Sequence, residues 1–159
     1  MSAKSINARL ATGFALLATG VLSGAFFYGR ANVTPTFSAV PLDVHLAFRI
    51  ELMKVNGVVM QLLMAAAVAT TGWLAFSARG RARTLAIAAT ALAVASFLVT
   101  RFGNVPINQE MKRWAAGELA PDHLDRLAIW GAFNDIRVTT ALTAFVLVII
   151  AANLAGARR

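Results

Sequence analysis

Four long stretches without a charged side chain constrain this chain more than any other feature. They cover residues 10–29, 55–78, 84–100 and 138–157. A helix needs about 20 apolar residues to cross the hydrocarbon core of a bilayer, within a range of about 17 to 25. All four stretches meet that requirement, residues 84–100 by the smallest margin. We therefore predict an all-α integral membrane protein in which a four-helix bundle forms a single transmembrane domain over residues 1–159.

The predicted membrane spans are residues 10–29, 55–77, 84–103 and 136–156. Helices 2 and 4 are predicted to extend beyond the membrane on its outer side, from about residues 43 and 121. Pro121 suits the first position of a helix. Pro35 and Pro41 oppose helix formation and predict a loop between helices 1 and 2. Each half of the chain thus comprises a spanning helix, an outer loop and a long helix, although the halves share too little sequence to indicate a repeat.

The distribution of basic residues predicts the orientation of the chain, whose net charge is +8 at pH 7. Three segments contain basic residues and no acidic one: the segment before helix 1, the turn between helices 2 and 3, and the C-terminal end. Their seven basic residues are Lys4, Arg9, Arg79, Arg81, Arg83, Arg158 and Arg159. Cytoplasmic segments of membrane proteins are enriched in Lys and Arg. We therefore predict that both termini are cytoplasmic and that the chain is a multi-pass protein of the inner (cytoplasmic) membrane. Because the charges do not form one basic surface, nucleic-acid binding is not predicted.

Cysteine and histidine usage limits the metal chemistry that is available. The chain has no cysteine and two histidines, which excludes disulfides and cysteine-based metal sites. His45 and His123 lack the close spacing to other ligands that a protein metal site uses. We therefore predict no metal and no cofactor. Two histidines on different helices can hold a haem iron from both sides. Haem binding therefore stays as an alternative, although no other residue supports it.

Glycines in helix 1 predict close helix packing. Gly20 and Gly24 form a G-x-x-x-G pattern, and small residues let membrane helices approach closely. Packing within the chain is the preferred interpretation. A homo-oligomer that associates through Gly20 and Gly24 is the alternative.

Polar side chains recur at helical spacing in three segments. On a helical wheel of about 100° per residue, three sets each fall on one face: His45, Arg49 and Asn56; Arg101, Asn104 and Asn108; and His123, Arg126, Trp130, Asn134 and Arg137. Polar groups inside a membrane protein usually face the interior of the bundle. All three sets lie towards the predicted outer side, so we expect them to converge on one polar pocket in the outer half of the bundle.

The segment RFGNVPIN, residues 101–108, ends the third apolar stretch. Pro106 removes an amide donor and disturbs the helix, and non-helical backbone at membrane depth is tolerated only inside protein or beside water. Asn104 and Asn108 are then candidates to bind either the freed carbonyl groups or a ligand. Arg101 and Arg137 are candidates to bind an anion or to extend to the membrane surface, and these alternatives stay open.

Two motifs in the second half of the chain resemble a known family. They are NVPIN, residues 104–108, and the set of Trp130, Asn134 and Arg137 within WGAFNDIR. Asn56 in helix 2 adds to them. Together with the four predicted helices, these motifs resemble the small four-helix membrane proteins that include the anthrone oxygenases, a family described as a domain of unknown function. The resemblance covers almost the whole chain.

The resemblance implies an activity. Characterised relatives oxidise anthrones to anthraquinones with molecular oxygen and without a metal or flavin. The resemblance also implies roles for individual residues. Asn104, Asn108 and Asn134 would hold the oxygens of the substrate, with Asn56 as a further contact; Arg137 or Arg101 would stabilise the enolate; and Trp130 would stack on the rings. His45 is predicted as the catalytic base beside Arg137 on chemistry alone, because histidine titrates near neutral pH.

Two other functions remain as alternatives. The first is a non-catalytic membrane protein that binds a lipid, a quinone or a partner protein. The second is a small transporter. Proton-coupled transporters use intramembrane carboxylates, and the absence of acidic residues from the predicted spans argues against this alternative. The predicted partners are therefore membrane lipid and a hydrophobic aromatic small molecule.

Overall fold

All regular secondary structure in the described region is helical. A computed structural model describes residues 3–156, and of residues 3–5 and 156 only the backbone. Six α-helices run in chain order: α1 (Ala3–Tyr28), α2 (Thr34–Ser38), α3 (Leu42–Ser77), α4 (Arg81–Val99), α5 (Val105–Ala115) and α6 (His123–Gly156). The side chain of Lys4 and the residues Arg158 and Arg159, on which the predicted orientation partly rests, lie outside the described residues.

Four long apolar helices are suited to cross a membrane. They comprise Ile6–Ser38, Leu42–Ser77, Arg81–Ala115 and His123–Ala155, each with an apolar window of at least membrane length. The prediction of an all-α, multi-pass membrane protein is therefore confirmed. Both α3, which begins at Leu42, and α6, which begins at His123, are longer than the roughly 20 residues that a bilayer requires.

Two π-helical turns interrupt the spans at corresponding places. Gly29–Val33 follows α1, and Thr100–Asn104 follows α4. In each case the next α-helix carries a proline in its first turn, Pro35 in α2 and Pro106 in α5. Each proline lies in continuous helical backbone, so its missing amide removes a donor from a carbonyl group of the preceding π turn. The loop predicted around Pro35 is therefore wrong, since the chain continues as a π turn and a short helix.

The four long helices form a ring in which α1 and α4 each pack against both α3 and α6. At one end, α1 begins and α6 ends, and the helices meet through a cluster made mostly of small residues, which includes Ala11, Ala15, Ala86, Ala89, Ala144 and Val148. We call this the closed end. Small side chains let membrane helices approach closely. The helices are therefore in direct contact there.

Gly20 of the G-x-x-x-G pattern packs within the chain. A Cβ atom at Gly20 would lie 3.2 Å from the Phe145 ring of α6, whereas a Cβ at Gly24 would meet nothing within 4 Å. An added Cβ at position 20 would therefore require the Phe145 ring to shift by a few tenths of an ångström. An association of two copies through Gly20 and Gly24 stays a prediction.

The opposite end of the bundle contains α2 and α5, and we call it the cavity end. α5 buries Ile107, Met111 and Trp114 against α3 and α6. Glu110 of α5 accepts two hydrogen bonds from the Arg126 guanidinium of α6, at 2.5 and 2.8 Å. These contacts hold α5 across the end of the bundle, and α5 thereby helps to enclose the space between α3 and α6.

Candidate functional site

A cavity of about 520 Å³ occupies the cavity end, between α3 and α6. Its lining includes six of the eight residues that the sequence predicted for the site: Asn56, Arg101, Asn108, Trp130, Asn134 and Arg137. His45 and Asn104 are not part of the lining. Ligand pockets usually measure about 300 to 1,000 Å³, so the cavity has the size of a small-molecule site.

Trp130 lies at the centre of a group of arginines and aromatic rings. The Arg49 guanidinium is 4.0 Å from the centroid of the Trp130 ring and 4.7 Å from that of Phe37, so it lies close to both rings. The Arg137 guanidinium is 4.6 Å from the Phe26 ring and 5.7 Å from Trp130. A cation within about 6 Å of an aromatic face is attracted by the quadrupole of the ring. Aromatic rings thus hold both guanidinium groups at the cavity.

No carboxylate of the described residues neutralises either of these two arginines. Arg49 is 5% exposed, its Nη1 contacts the Met111 sulfur at 3.2 Å, and its Nε has no partner. Arg137 donates from Nε to Asn134 Oδ1 at 3.0 Å. Among the described residues, the ion pairs are Arg30–Asp135, Lys54–Glu51 and Arg126–Glu110, and none reaches the cavity arginines. Buried charges are costly unless they are paired. The site is therefore electrostatically suited to an anionic ligand.

Three asparagines differ in what they do around Trp130. Asn104 is fully buried and donates from Nδ2 to the Trp130 carbonyl oxygen at 3.0 Å. Asn108 accepts a hydrogen bond of 2.8 Å from Trp130 Nε1. Asn134 holds Arg137, while its own Nδ2 is buried without a partner. Asn104 and Asn108 therefore position Trp130 from two sides, and Asn134 has a donor left for a ligand.

His45 lies behind the cavity wall. Its ring stacks on Phe37 with centroids 4.8 Å apart and an angle of 3° between the planes. Phe37 belongs to the lining, whereas His45 does not. The ring is 8% exposed and its Nε2 has no hydrogen-bond partner. The histidine is thus adjacent to the site, with Phe37 between its ring and the cavity.

His123 is placed away from the cavity. Its Nδ1 lies 2.8 Å from the Ala120 carbonyl oxygen, and its ring meets the edge of Trp114. Neither histidine lines the cavity. Across the part of the chain that the structure describes, no group of three His, Asp or Glu residues is arranged to hold a metal ion.

Gly103 lets the second π turn pack against α6. A Cβ atom there would lie 2.6 Å from the Phe133 ring. Real Cβ atoms essentially never approach other atoms so closely, so this position requires a glycine. The close approach helps to place Asn104 beside the backbone of Trp130.

The sequence analysis placed Arg49 in the polar set of helix 2 but gave it no role, and it missed Phe37, a second residue of the site. Arg49 was recognisable, because it shares a helical face with His45 and Asn56. Phe37 gave no signal, since it lies in the segment that was predicted as a loop. Its place between Arg49 and His45 depends on the π turn and α2, which fold the chain back over α3.

Comparison with known families agrees with this architecture. The family model of anthrone oxygenase matches residues 50–147. The chain belongs to the anthrone oxygenase family. The matched region contains seven of the eight predicted site residues, Asn56, Arg101, Asn104, Asn108, Trp130, Asn134 and Arg137, and it begins one residue after Arg49. The comparisons with curated proteins and with solved structures gave no match.

Proposed function

We propose that this anthrone oxygenase family member oxidises an anthrone-like aromatic molecule with molecular oxygen, without a cofactor. One observation carries the proposal: Arg49 and Arg137 both lie beside the Trp130 ring, at a cavity of about 520 Å³. No described carboxylate neutralises them. An anthrone becomes reactive towards oxygen as its enolate anion, and two uncompensated guanidinium groups are suited to stabilise that anion.

The proposed reaction balances with oxygen as the sole oxidant. A C–H bond of the substrate methylene loses its proton, and the electron pair remains on the ring system as the enolate. The carbanionic carbon forms a C–O bond to oxygen, and a proton completes the hydroperoxide. Loss of the second methylene proton then breaks the O–O bond and releases water. One anthrone and one oxygen molecule thus yield one quinone and one water.

The residues of the cavity have distinct roles in this proposal. Trp130 holds the Arg49 guanidinium 4.0 Å from its ring centroid and thereby keeps a cation at the cavity for the substrate anion. Asn134 donates from its free Nδ2, and Asn56 and Asn108 contact the oxygens of the substrate. Arg137 faces the enolate oxygen. Pre-oriented donors of this kind stabilise developing charge without reorganising during the reaction.

Arg49 takes part in the same stabilisation. Arg49 and Arg137 approach one ring, so each raises the positive potential at the other. Binding an anion between them relieves that repulsion. The proton acceptor of the first step is either water in the cavity or His45. The position of Phe37 between His45 and the cavity favours water.

Oxygen uptake by the purified protein tests the proposal. The protein in detergent should consume oxygen when an anthrone is added, with one quinone formed per oxygen consumed. Neither EDTA nor dialysis should lower the rate. Boiled protein and empty detergent micelles control for the spontaneous oxidation of anthrones. Binding of the anthrone without accelerated oxygen uptake would favour a non-catalytic protein that binds a quinone, a lipid or a partner.

We further propose that the chain resides in the inner (cytoplasmic) membrane with both termini in the cytoplasm and the cavity end outside. The support is the excess of Arg residues in the turn between α3 and α4, which contains Arg79, Arg81 and Arg83, together with the positive-inside rule. Alkaline phosphatase and fluorescent-protein fusions at the C-terminus and near Pro35 test it. A C-terminus that supports phosphatase activity would contradict this orientation.

A further inference from the structure

The two halves of the bundle repeat the same order of elements. Each half has a long helix, a π turn, a helix with proline in its first turn, and a second long helix. Arg30 is the second residue of the first π turn, and Arg101 is the second residue of the other. The shift that aligns these arginines also aligns Ala11 with Ala82 in the buried face of the first helix of each half. Arg30 and Arg101 are therefore structural counterparts.

The counterparts differ in their partners. Arg30 forms an ion pair with Asp135 of α6. The contacts of Arg101 among the described residues amount to its own neighbour, since its guanidinium lies 5.8 Å from the Phe102 ring centroid. Arg101 also lines the cavity, whereas Arg30 does not. One half of the bundle thus pairs its arginine, and the other half leaves it at the cavity.

The missing partner of Arg101 can be located in α3. Aligning His45 with His123 also aligns Asn56 with Asn134, and it places Gly57 at the position of Asp135. Aligning the buried residues Met64 and Ala141 instead places Val58 there. In both alignments α3 lacks an acidic residue that corresponds to Asp135, because residues 55–78 contain no charge.

The space beside this position is open. Gly57 lines the cavity, and a Cβ atom added to it would meet nothing within 4 Å. A carboxylate at this position would therefore have room, and it would share the cavity with the Arg101 guanidinium. Arg carries a rigid fork of donors that matches a carboxylate with two parallel hydrogen bonds.

We propose that Arg101 is a specificity-determining residue that binds a carboxylate on the substrate. The enolate oxygen lies towards Arg137 and Arg49, and the carboxylate takes the place that Asp135 occupies in the other half. The preferred substrate class is accordingly an aromatic carboxylic acid with an oxidisable methylene. This inference rests on the proposed function, because it assigns a substrate class to the same cavity.

A pair of matched substrates tests the inference. Oxygen uptake is measured with an anthrone carboxylate and with its neutral carboxamide. The kcat/KM ratio, acid over amide, should favour the acid and should fall roughly tenfold in Arg101→Gln, as expected for the loss of one charge-assisted contact. Arg30→Gln is the matched control, because it removes the counterpart arginine away from the cavity, and its ratio should equal that of the parent.

A second set of variants leaves Arg101 in place. Gly57→Asp and Val58→Asp each introduce the missing carboxylate, with Gly57→Asn and Val58→Asn as neutral controls. At least one Asp variant should lose the preference for the acid, while its Asn partner keeps it. Equal ratios in all four variants would overturn the inference. So would an unchanged ratio in Arg101→Gln.

Binding measurements separate this inference from the proposed function. Anthraquinone carboxylate and anthraquinone carboxamide resemble a product, so they report binding without turnover, through quenching of tryptophan fluorescence. If no substrate accelerates oxygen uptake but the carboxylate still binds through Arg101, the oxygenase proposal fails and the carboxylate site stands. If oxygen uptake is accelerated and the acid-to-amide ratio does not depend on Arg101, the oxygenase proposal stands and the carboxylate site fails.

A lipid phosphate is the alternative partner of Arg101, and the same variants address this. In that case Arg101→Gln should lower the melting temperature in lipid nanodiscs more than in detergent and leave the acid-to-amide ratio unchanged. That result would overturn the inference. A change of melting temperature on Arg101→Gln that is the same in nanodiscs and in detergent, together with the fallen ratio, would support it.

Discussion

The two ends of the bundle solve different physical problems. At the closed end, small side chains such as Ala11, Ala15 and Ala86 are almost fully buried and bring the helices into contact. At the cavity end, Arg49 and Arg137 lie beside Trp130, and α3 and α6 leave about 520 Å³ between them. Packing stabilises helix association in lipid, whereas buried unpaired charge opposes folding. The comparison teaches that the closed end supplies stability that the cavity end gives up for a site.

The largest expected effect is on activity, which should depend on an arginine at the cavity end and not on one at the closed end. Arg137→Ala should lower oxygen uptake by about 100- to 1,000-fold, as the loss of one pre-oriented donor does in other enzymes. Arg137→Lys should restore little, because one mobile ammonium does not replace a fixed fork of donors. Arg83→Ala, an exposed arginine at the closed end, is the control and should retain the parental rate. Steady-state oxygen consumption measures all three.

The Lys variant also tests the alternative in which Arg137 only extends to the membrane surface. A lysine reaches the surface as well as an arginine does. Near-parental turnover by Arg137→Lys, in protein that is folded and expressed like the parent, would therefore remove Arg137 from the site. The two ends would then no longer differ in the way proposed.

The second effect is on stability, and it is expected at the closed end. Ala86→Leu at the closed end should lower the free energy of unfolding by about 1 to 3 kcal/mol, because extra methylenes overpack a filled interface. Ala91→Leu, on the exposed face of the same helix, is the matched control and should change it little. Unfolding in mixed detergent micelles provides the measurement. Equal stability of the two variants would mean that the closed end is less tightly packed than the burial of Ala86 indicates.

The smallest expected effect concerns His45. His45→Gln should lower oxygen uptake less than roughly tenfold, because the ring lies behind Phe37 and outside the cavity lining, whereas a general base contributes about 100- to 10,000-fold. Phe37→Leu is the companion variant, since it removes the ring that stacks on His45. A loss of 100-fold or more in His45→Gln would establish the histidine as the base and would require Phe37 to move during turnover.

Much of the candidate site was predictable because helices impose a regular phase on side chains. Asn56, Trp130 and Arg137 were selected by their spacing, and all three line the cavity. Asn104 shares that spacing with Asn108, yet its side chain donates to the Trp130 backbone instead. Phase alone assigns a side chain to a face of the helix. Which neighbour it meets there depends on the helix that packs against that face.

The sequence by itself determined the architecture: four long uncharged stretches allow a membrane-spanning α-helix and little else, because backbone polar groups in lipid must be satisfied within the segment. Only the tertiary structure decided the electrostatics of the site. Arg49 and Arg137 are distant in sequence, and they meet at Trp130 because α3 and α6 both line the same cavity. Whether a charge is paired depends on what surrounds it in space, which no spacing along one helix specifies.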